Sequence, residues 1–244
     1  MAVSTPAVRA MAGIEPARKT LVRLEEVIKV YRESDVETIA LRGVDLAIEE
    51  GESVAIMGRS GSGKSTLLNL VSGSDRPTAG RVLVDGIDVG RADEAARAQL
   101  RGRVMGIIFQ SQNLLPFLTL EENVVLTGRL AGSELDGSWA RELLDRVGLA
   151  DRAAHRPDQL SGGEQQRGGL ACVLAAKPRL LLADEMTGEL DSVTAARLLD
   201  LVRDIRRTEG MTVIMVTHDE GVAQTADRIV ELRDGRVVAD RSVR

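Results

Sequence analysis

The run Gly58-Arg59-Ser60-Gly61-Ser62-Gly63-Lys64-Ser65-Thr66 fits the pattern G-x-x-x-x-G-K-[ST]. The chemistry of that pattern is phosphate binding. Its glycines let the backbone turn so that successive N–H groups face one concavity. The helix that follows presents its positive N-terminal end to the same anion. Lys64 supplies a point charge for β- and γ-phosphates, and the Ser65 hydroxyl can ligate Mg²⁺. A merely flexible Gly/Ser loop has no preferred context. This one lies between the apolar run Ser53–Met57 and a segment, Lys64–Ser72, that reads as a helix.

Other residues could complete such a site. Leu180-Leu181-Leu182-Ala183-Asp184-Glu185 is an apolar strand ending in two carboxylates. Beside a phosphate loop, Asp184 is placed to hold Mg²⁺, directly or through water, and Glu185 to orient or deprotonate an attacking water. Apolar strands also end at acidic surface residues, so the loop gives this pair its meaning. His218 follows the apolar strand Thr212–Thr217, at the sheet edge where ligands bind in such folds; the other histidine, His155, has no comparable context. In Leu160-Ser161-Gly162-Gly163-Glu164-Gln165-Gln166-Arg167, Ser161 is a helix N-cap, and the two glycines leave backbone exposed at the helix's positive end. That is either a capped helix with a glycine-rich entry or a second anion site in the same chain.

The elements that must position these residues alternate. Strand patterns cover Leu21–Tyr31, Thr38–Ile48, Ser53–Met57, Arg81–Val84, Val104–Phe109, Leu180–Ala183 and Thr212–Thr217. Helices are expected at Lys64–Ser72, Glu164–Ala176 and Val193–Arg207, and a C-terminal hairpin at Asp234-Gly235. Between Leu120 and about Val147, Leu and Val recur at helical spacing, broken at Gly132–Gly137. The alternation predicts an α/β core of mainly parallel sheet with an inserted helical subdomain.

Composition narrows the function classes. A chain of 244 residues, 43% hydrophobic and 28% charged, suits one α/β core with an insertion. With 32 basic and 37 acidic side chains scattered to a net charge of −5, it has no electrostatic footprint for nucleic acid. The single cysteine, Cys172, excludes an internal disulfide framework and suits a reducing compartment. Apolar stretches such as Val213–Val216 fall far short of the ~20 residues of a membrane span, so membrane contact is expected only through a partner. Residues 1–20 read as a disordered extension ahead of a single domain spanning 21–244.

Leu160–Arg167 resembles the signature sequence of ABC ATPases, and Gly58–Thr66 and Leu180–Glu185 resemble the Walker A and Walker B motifs of the same family. The resemblance extends from about Leu21 to Val238. It implies a P-loop NTPase core with an antiparallel β subdomain and a helical subdomain at approximately 112–160. It implies that Tyr31 stacks on adenine, that Gln110 touches Mg²⁺ and relays to a membrane partner, and that His218 is the switch histidine. It further implies a head-to-tail dimer, with a second copy or a paralogous ATPase subunit. In that dimer Ser161, Gly162, Gly163, Glu164 and the D-loop Asp191 act in trans. Ser74–Gly80 and Phe109–Pro116 look like the lipoprotein-release and macrolide-export (LolD/MacB-like) group. A transporter with separate permease subunits, working from the cytoplasmic face of the membrane, is the expectation. The alternative is an ATP-driven regulatory module gating a membrane-coupled cell-wall hydrolase or signalling partner. A soluble relative in DNA repair or translation would carry a long coiled-coil insertion or a tandem cassette, and the sequence has neither.

The chain departs from the family pattern at three places. Met186 replaces a usual proline, Gly168-Gly169 replace helix-favouring residues, and Cys172 stands where arginine is usual. Each interior glycine weakens a helix by roughly 1 kcal/mol. Either the helix behind the signature is softened, in which case alanine at 168 and 169 and arginine at 172 should raise turnover, or neighbouring residues compensate.

Overall fold

The structure, a computed structural model, describes residues 19–33, 36–109, 113–132, 137–188 and 190–243. Gln110, and residues 1–18 of the expected extension, lie outside the described residues. The chain opens with two long strands, β1 (Thr20–Glu33) and β2 (Val36–Glu49). β3 (Ser53–Met57) then runs through the glycine loop into α1 (Lys64–Val71). β4 (Ala79–Val84), β5 (Ile87–Asp88), α2 (Glu94–Arg103) and β6 (Met105–Ile108) follow. α3 (Leu120–Leu130) and α4 (Gly137–Arg146) lead to α5 (Gly162–Ala175), β7 (Leu180–Asp184), α6 (Ser192–Glu209) and β8 (Thr212–Thr217). The short α7 (Glu220–Ala223) and the hairpin of β9 (Arg228–Arg233) and β10 (Arg236–Ser242) complete the described chain.

Among the described residues the strands form two sheets. β2-β1-β4-β5 is antiparallel throughout. In β10-β9-β3-β8-β7-β6 every pairing is parallel except that of the terminal hairpin. The fold is therefore the expected one: a mainly parallel core sheet, an antiparallel β layer, and helices α3 and α4 packed on α5.

The parallel sheet separates two hydrophobic cores, and strand periodicity divides the residues between them. Ala55, Leu181, Ala183, Val213 and Met215 face the core shared with α3 to α6. Their neighbours Val54, Ile56, Leu180, Leu182, Ile214 and Val216 face the core shared with α1, α2 and the antiparallel sheet. A strand buried on both faces needs apolar residues at every position, which is why β3, β7 and β8 read as continuous apolar runs. The helix starts are equally local. Thr119 and Ser161 each form a capping box, with Glu122 and Glu164, while Asp93, Asp191 and Asp219 cap α2, α6 and α7.

Candidate functional site

Parallel register brings the strand ends level: Met57 pairs with Thr217, and Asp184 with Val216. The residues that follow β3, β7 and β8 therefore emerge at one sheet edge, where ligands bind in open α/β folds. There they line a cavity of about 850 Å³ bounded by Tyr31, the glycine loop with Lys64, Ser65 and Thr66, and Asp184, Glu185 and His218. Thr38, Ile39 and Ala40 of β2 complete its wall. The sequence reading passed over these three, whose types carry no chemical signal.

The loop depends on glycine at two positions. A Cβ on Gly58 would collide with the Leu232 carbonyl and the Ser62 hydroxyl. Gly63, at φ +105°, abuts β2 so closely that a Cβ would lie 2.6 Å from the Ala40 carbonyl oxygen. Lys64, only 8% exposed, donates to the carbonyls of Gly58 at 2.9 Å and Arg59 at 3.1 Å, so its ammonium is drawn back over the loop that it follows. Arg59, Ser60 and Gly61 face the cavity, and the buried Ser62 hydroxyl has no partner among the described residues. The N-terminus of α1 has no side-chain cap and no acid in its first turn. Its N–H groups and its dipole are thus left to an anion.

Burial pushes the Asp184 carboxyl above its ordinary range; the Ser65 hydroxyl opposes this by hydrogen bonding, the Glu185 charge adds to it, and Lys64 opposes it. No group of three or more His, Cys, Asp or Glu able to hold a metal occurs among the described residues. One carboxylate, Asp184, beside the Ser65 hydroxyl suits a hard cation that keeps waters and takes phosphate oxygens, which is how Mg²⁺ binds.

Glu185 has φ +47°, a left-handed conformation that disfavours side chains by about 1–2 kcal/mol. Its N–H donates to Val216 O at 3.0 Å, and its Oε1 lies 3.0 Å from His218 Nδ1. Met186 follows it into the core, 3% exposed, so the residue found in place of proline is a packing residue. Strained backbone held by its surroundings is a recurrent property of functional sites.

Tyr31 is 37% exposed at the cavity mouth. Its hydroxyl donates to Asp75 Oδ2 at 3.0 Å, and Lys29 Nζ stands 4.8 Å from its ring centroid. Burial raises the phenol's pKa; a hydrogen bond with Thr66 opposes this, and the Asp75 carboxylate adds to it. The sequence reading missed Asp75 and Lys29. Lys29-x-Tyr31 on one strand was the available signal, since residues two apart share a face.

The structure does not bring Ser161, Gly162, Gly163, Glu164 or Asp191 to this cavity, whose lining contains none of them. Ser161 Oγ accepts from Glu164 N at 3.3 Å, and Glu164 Oε2 accepts from Ser161 N at 2.9 Å. Oε2 also accepts from the Ser161 hydroxyl at 2.8 Å, and the Ser161 N–H and hydroxyl, with Arg152 at 3.2 Å, hold the Glu164 carboxyl down at about 2. Asp191 caps α6 through the N–H groups of Val193 and Thr194, each at 3.0 Å.

The glycines behind the signature have a steric cause. A Cβ at Gly168 would lie 2.6 Å from Leu120 Cδ2, and one at Gly169 would lie 2.6 Å from Asn113 Cβ. Cys172 is 5% exposed, its thiol pushed up to about 12 by burial. Of the two readings, close packing favours compensation by neighbours: a methyl at 169 meets Asn113 next to its backbone, one at 168 requires the end of Leu120 to move, and an arginine at 172 would bury a charge.

Residues 41–188 match the family described as ABC transporter. Over 229 residues the chain is 48% identical to the lipoprotein-releasing system ATP-binding protein LolD of Anaeromyxobacter dehalogenans, covering 93% of this chain and 96% of that one. It is 45% identical to the macrolide export ATP-binding/permease protein MacB of Brucella melitensis, covering 92% of this chain but 35% of that longer protein. An ATP-binding cassette solved as a dimer in a post-hydrolysis state with ADP and Pi matches with a TM-score of 0.86 and 40% identity, over 91% of this chain and 99% of that chain. The chain belongs to the ABC transporter family and is an ATP-binding subunit of the LolD/MacB-like kind, an ATPase.

Proposed function

We propose that this subunit hydrolyses ATP between two chains and passes the resulting motion to separate transmembrane permease subunits of the lipoprotein, macrolide or peptide export type. The observation that carries the reading is the separation of two parts. Lys64, Ser65, Asp184, Glu185 and His218 share one cavity, while Ser161–Glu164 and Asp191 lie outside it. A head-to-tail dimer, of two copies or with a paralogous subunit, joins them.

In this reading the base rests against Tyr31, and the triphosphate lies along Gly58–Thr66 with its charge met by Lys64 and the end of α1. Ser65, Gln110 and, through water, Asp184 would hold Mg²⁺, which would supply charge neutralisation at the phosphate oxygens. Glu185, fixed in direction by its backbone and by His218, accepts a proton from the attacking water. His218 steadies the γ-phosphate. Ser161 and the exposed backbone of Gly162 and Gly163 close over that phosphate from the second chain, beside Glu164 and Asp191. Catalysis is then mostly positioning and electrostatic stabilisation. Residues 21–244 form one such domain, with the helical subdomain at about 112–160 and the Gln110 segment meeting the permease. No helix among the described residues is long and apolar enough to cross a membrane, and the subunit is assigned to the cytoplasmic face through its partner.

The test is Glu185→Gln. It should keep ATP binding, lower turnover by about 10³-fold, and accumulate as an ATP-dependent dimer in size-exclusion chromatography. Turnover at the wild-type rate would assign the base elsewhere. An ATP-loaded E185Q chain that stays monomeric would sink the two-chain site.

A further inference from the structure

We propose that Asp75 and Lys29 are positioning residues for the nucleobase, holding the ring of Tyr31 upright at the cavity mouth before the nucleotide arrives. The inference rests on the reading that Tyr31 stacks on the base. Asp75 lies on the turn after α1, 44 residues from Tyr31. Its carboxylate is itself fixed: Oδ1 accepts from Lys29 Nζ at 2.6 Å and from Arg76 N at 2.7 Å, and Oδ2 accepts from the Tyr31 hydroxyl at 3.0 Å. Lys29 Nζ also donates to Arg76 O at 2.9 Å, and its side chain is only 11% exposed.

Two consequences follow for the ring. Its hydroxyl is committed to the carboxylate of Asp75, on the turn that follows α1, the helix that takes the phosphates. One face lies under the Lys29 ammonium at 4.8 Å, a cation–π contact that leaves the opposite face for a base. The base is therefore bound by stacking rather than by the tyrosine hydroxyl. Because the ring is ordered beforehand, the nucleotide does not have to immobilise it, and removing the anchor returns that cost to binding. For one side chain it is worth about fivefold in affinity.

Inorganic triphosphate separates base from phosphate recognition, because it fills the loop and carries no base. The experiment measures the Kd of ATP and of inorganic triphosphate by calorimetry for wild type, D75A, Y31F, Y31A and the D75A/Y31F double variant of the full chain. D75A should weaken ATP about fivefold and leave triphosphate binding as it was. Y31F, which keeps the ring and removes only the hydroxyl, should do the same, and the double variant should be no worse than either single one. Y31F carries the test alone if D75A does not fold. The chain has a single tyrosine, so its phenolate absorbance reports this residue without interference. The phenol should titrate at lower pH in D75A. Equal loss of ATP and triphosphate affinity, additive losses in the double variant, or an unmoved phenol titration would each overturn the proposal. If Y31A weakens ATP while D75A and Y31F do not, positioning fails and stacking survives. If Y31A leaves ATP affinity intact, the stacking reading fails and takes this one with it.

Discussion

The N-terminus of α1 has no side-chain cap and no acid in its first turn, whereas that of α5 is closed by Ser161 and Glu164. The first follows a glycine loop, the second begins with two glycines, and both offer backbone N–H groups, so the sequence alone makes them look like equivalent anion sites. At α1 the positive end is reinforced by a buried lysine and faces a cavity lined by two carboxylates and a histidine. At α5 the first-turn N–H of Glu164 and the helix dipole are already answered by the helix's own serine and glutamate. An anion at the first end meets unpaired donors, and an anion at the second must share Ser161 with Glu164. The difference suits a division of labour in which α1 binds nucleotide within its own chain and α5 only completes a site assembled by another.

Lys64→Ala should break the first half of that comparison most severely. Loss of the charge-assisted bonds to phosphate is worth about 100-fold in ATP affinity, read by calorimetry on the isolated chain. Ser161→Ala should leave the affinity of the single chain as it was and lower turnover about tenfold, the scale of one charge-assisted hydrogen bond. Mixing sharpens the contrast. Neither variant alone has an intact composite site, but a mixed dimer has one, built from the Lys64 of the S161A chain and the Ser161 of the K64A chain. Turnover of the mixture should exceed the mean of the separate variants; turnover no higher than that mean would place the serine's action within its own chain.

Gly169→Ala tests the support of α5 rather than its tip. Helix propensity favours alanine by roughly 1 kcal/mol. Against that, the new methyl would sit 2.6 Å from Asn113 Cβ, an atom next to the backbone that cannot swing aside. Overpacking of this kind costs about 1–3 kcal/mol, so the variant should be less stable than wild type in urea unfolding. Gly168→Ala meets the movable end of Leu120 and should lose less. Greater stability in G169A would restore the view that these glycines simply soften the helix.

Which parts of this were legible in the sequence depends on whether the cause was local. β3 and β8 have the bounds that their apolar runs suggested, because strands buried on both faces need no context to be recognised. The loop at Gly58–Thr66 and the carboxylates ending β7 were readable for the same reason: each motif carries its chemistry within a few residues. α2 was overlooked because Leu100 is the one large apolar side chain it buries, alongside Arg97, leaving little periodicity to detect. The glycines of α5 left softening and compensation both open because the residues they meet, Asn113 and Leu120, lie on other segments. Asp75 was invisible to a local reading because nothing in Ser74–Gly80 points to a strand 44 residues earlier.

The smallest expected effect concerns pH and the capped end of α5. The Glu164 carboxyl is held at about 2, against an ordinary value of 4.5, chiefly by the Ser161 N–H and then by the Ser161 hydroxyl. A carboxyl depressed in the folded state adds stability that is fully present above its unfolded pKa and is lost as pH falls through its folded one. The window is therefore from about 4.5 down to about 2. Because the side chain keeps 23% of its surface exposed at the end of the helix, solvent screening keeps the contribution below about 1 kcal/mol. Asp75, Asp85 and Asp191 are also depressed and lose stability in the acid range, so the wild-type curve alone does not isolate Glu164. The difference between wild type and Glu164→Gln does. That difference should be constant above pH about 5 and shrink steadily below it, since glutamine retains the shape of the capping residue without the charge. A difference that stays level down to pH about 2 would mean that α5 draws on the capping geometry alone, and that its positive end is less fully answered than its hydrogen bonds suggest.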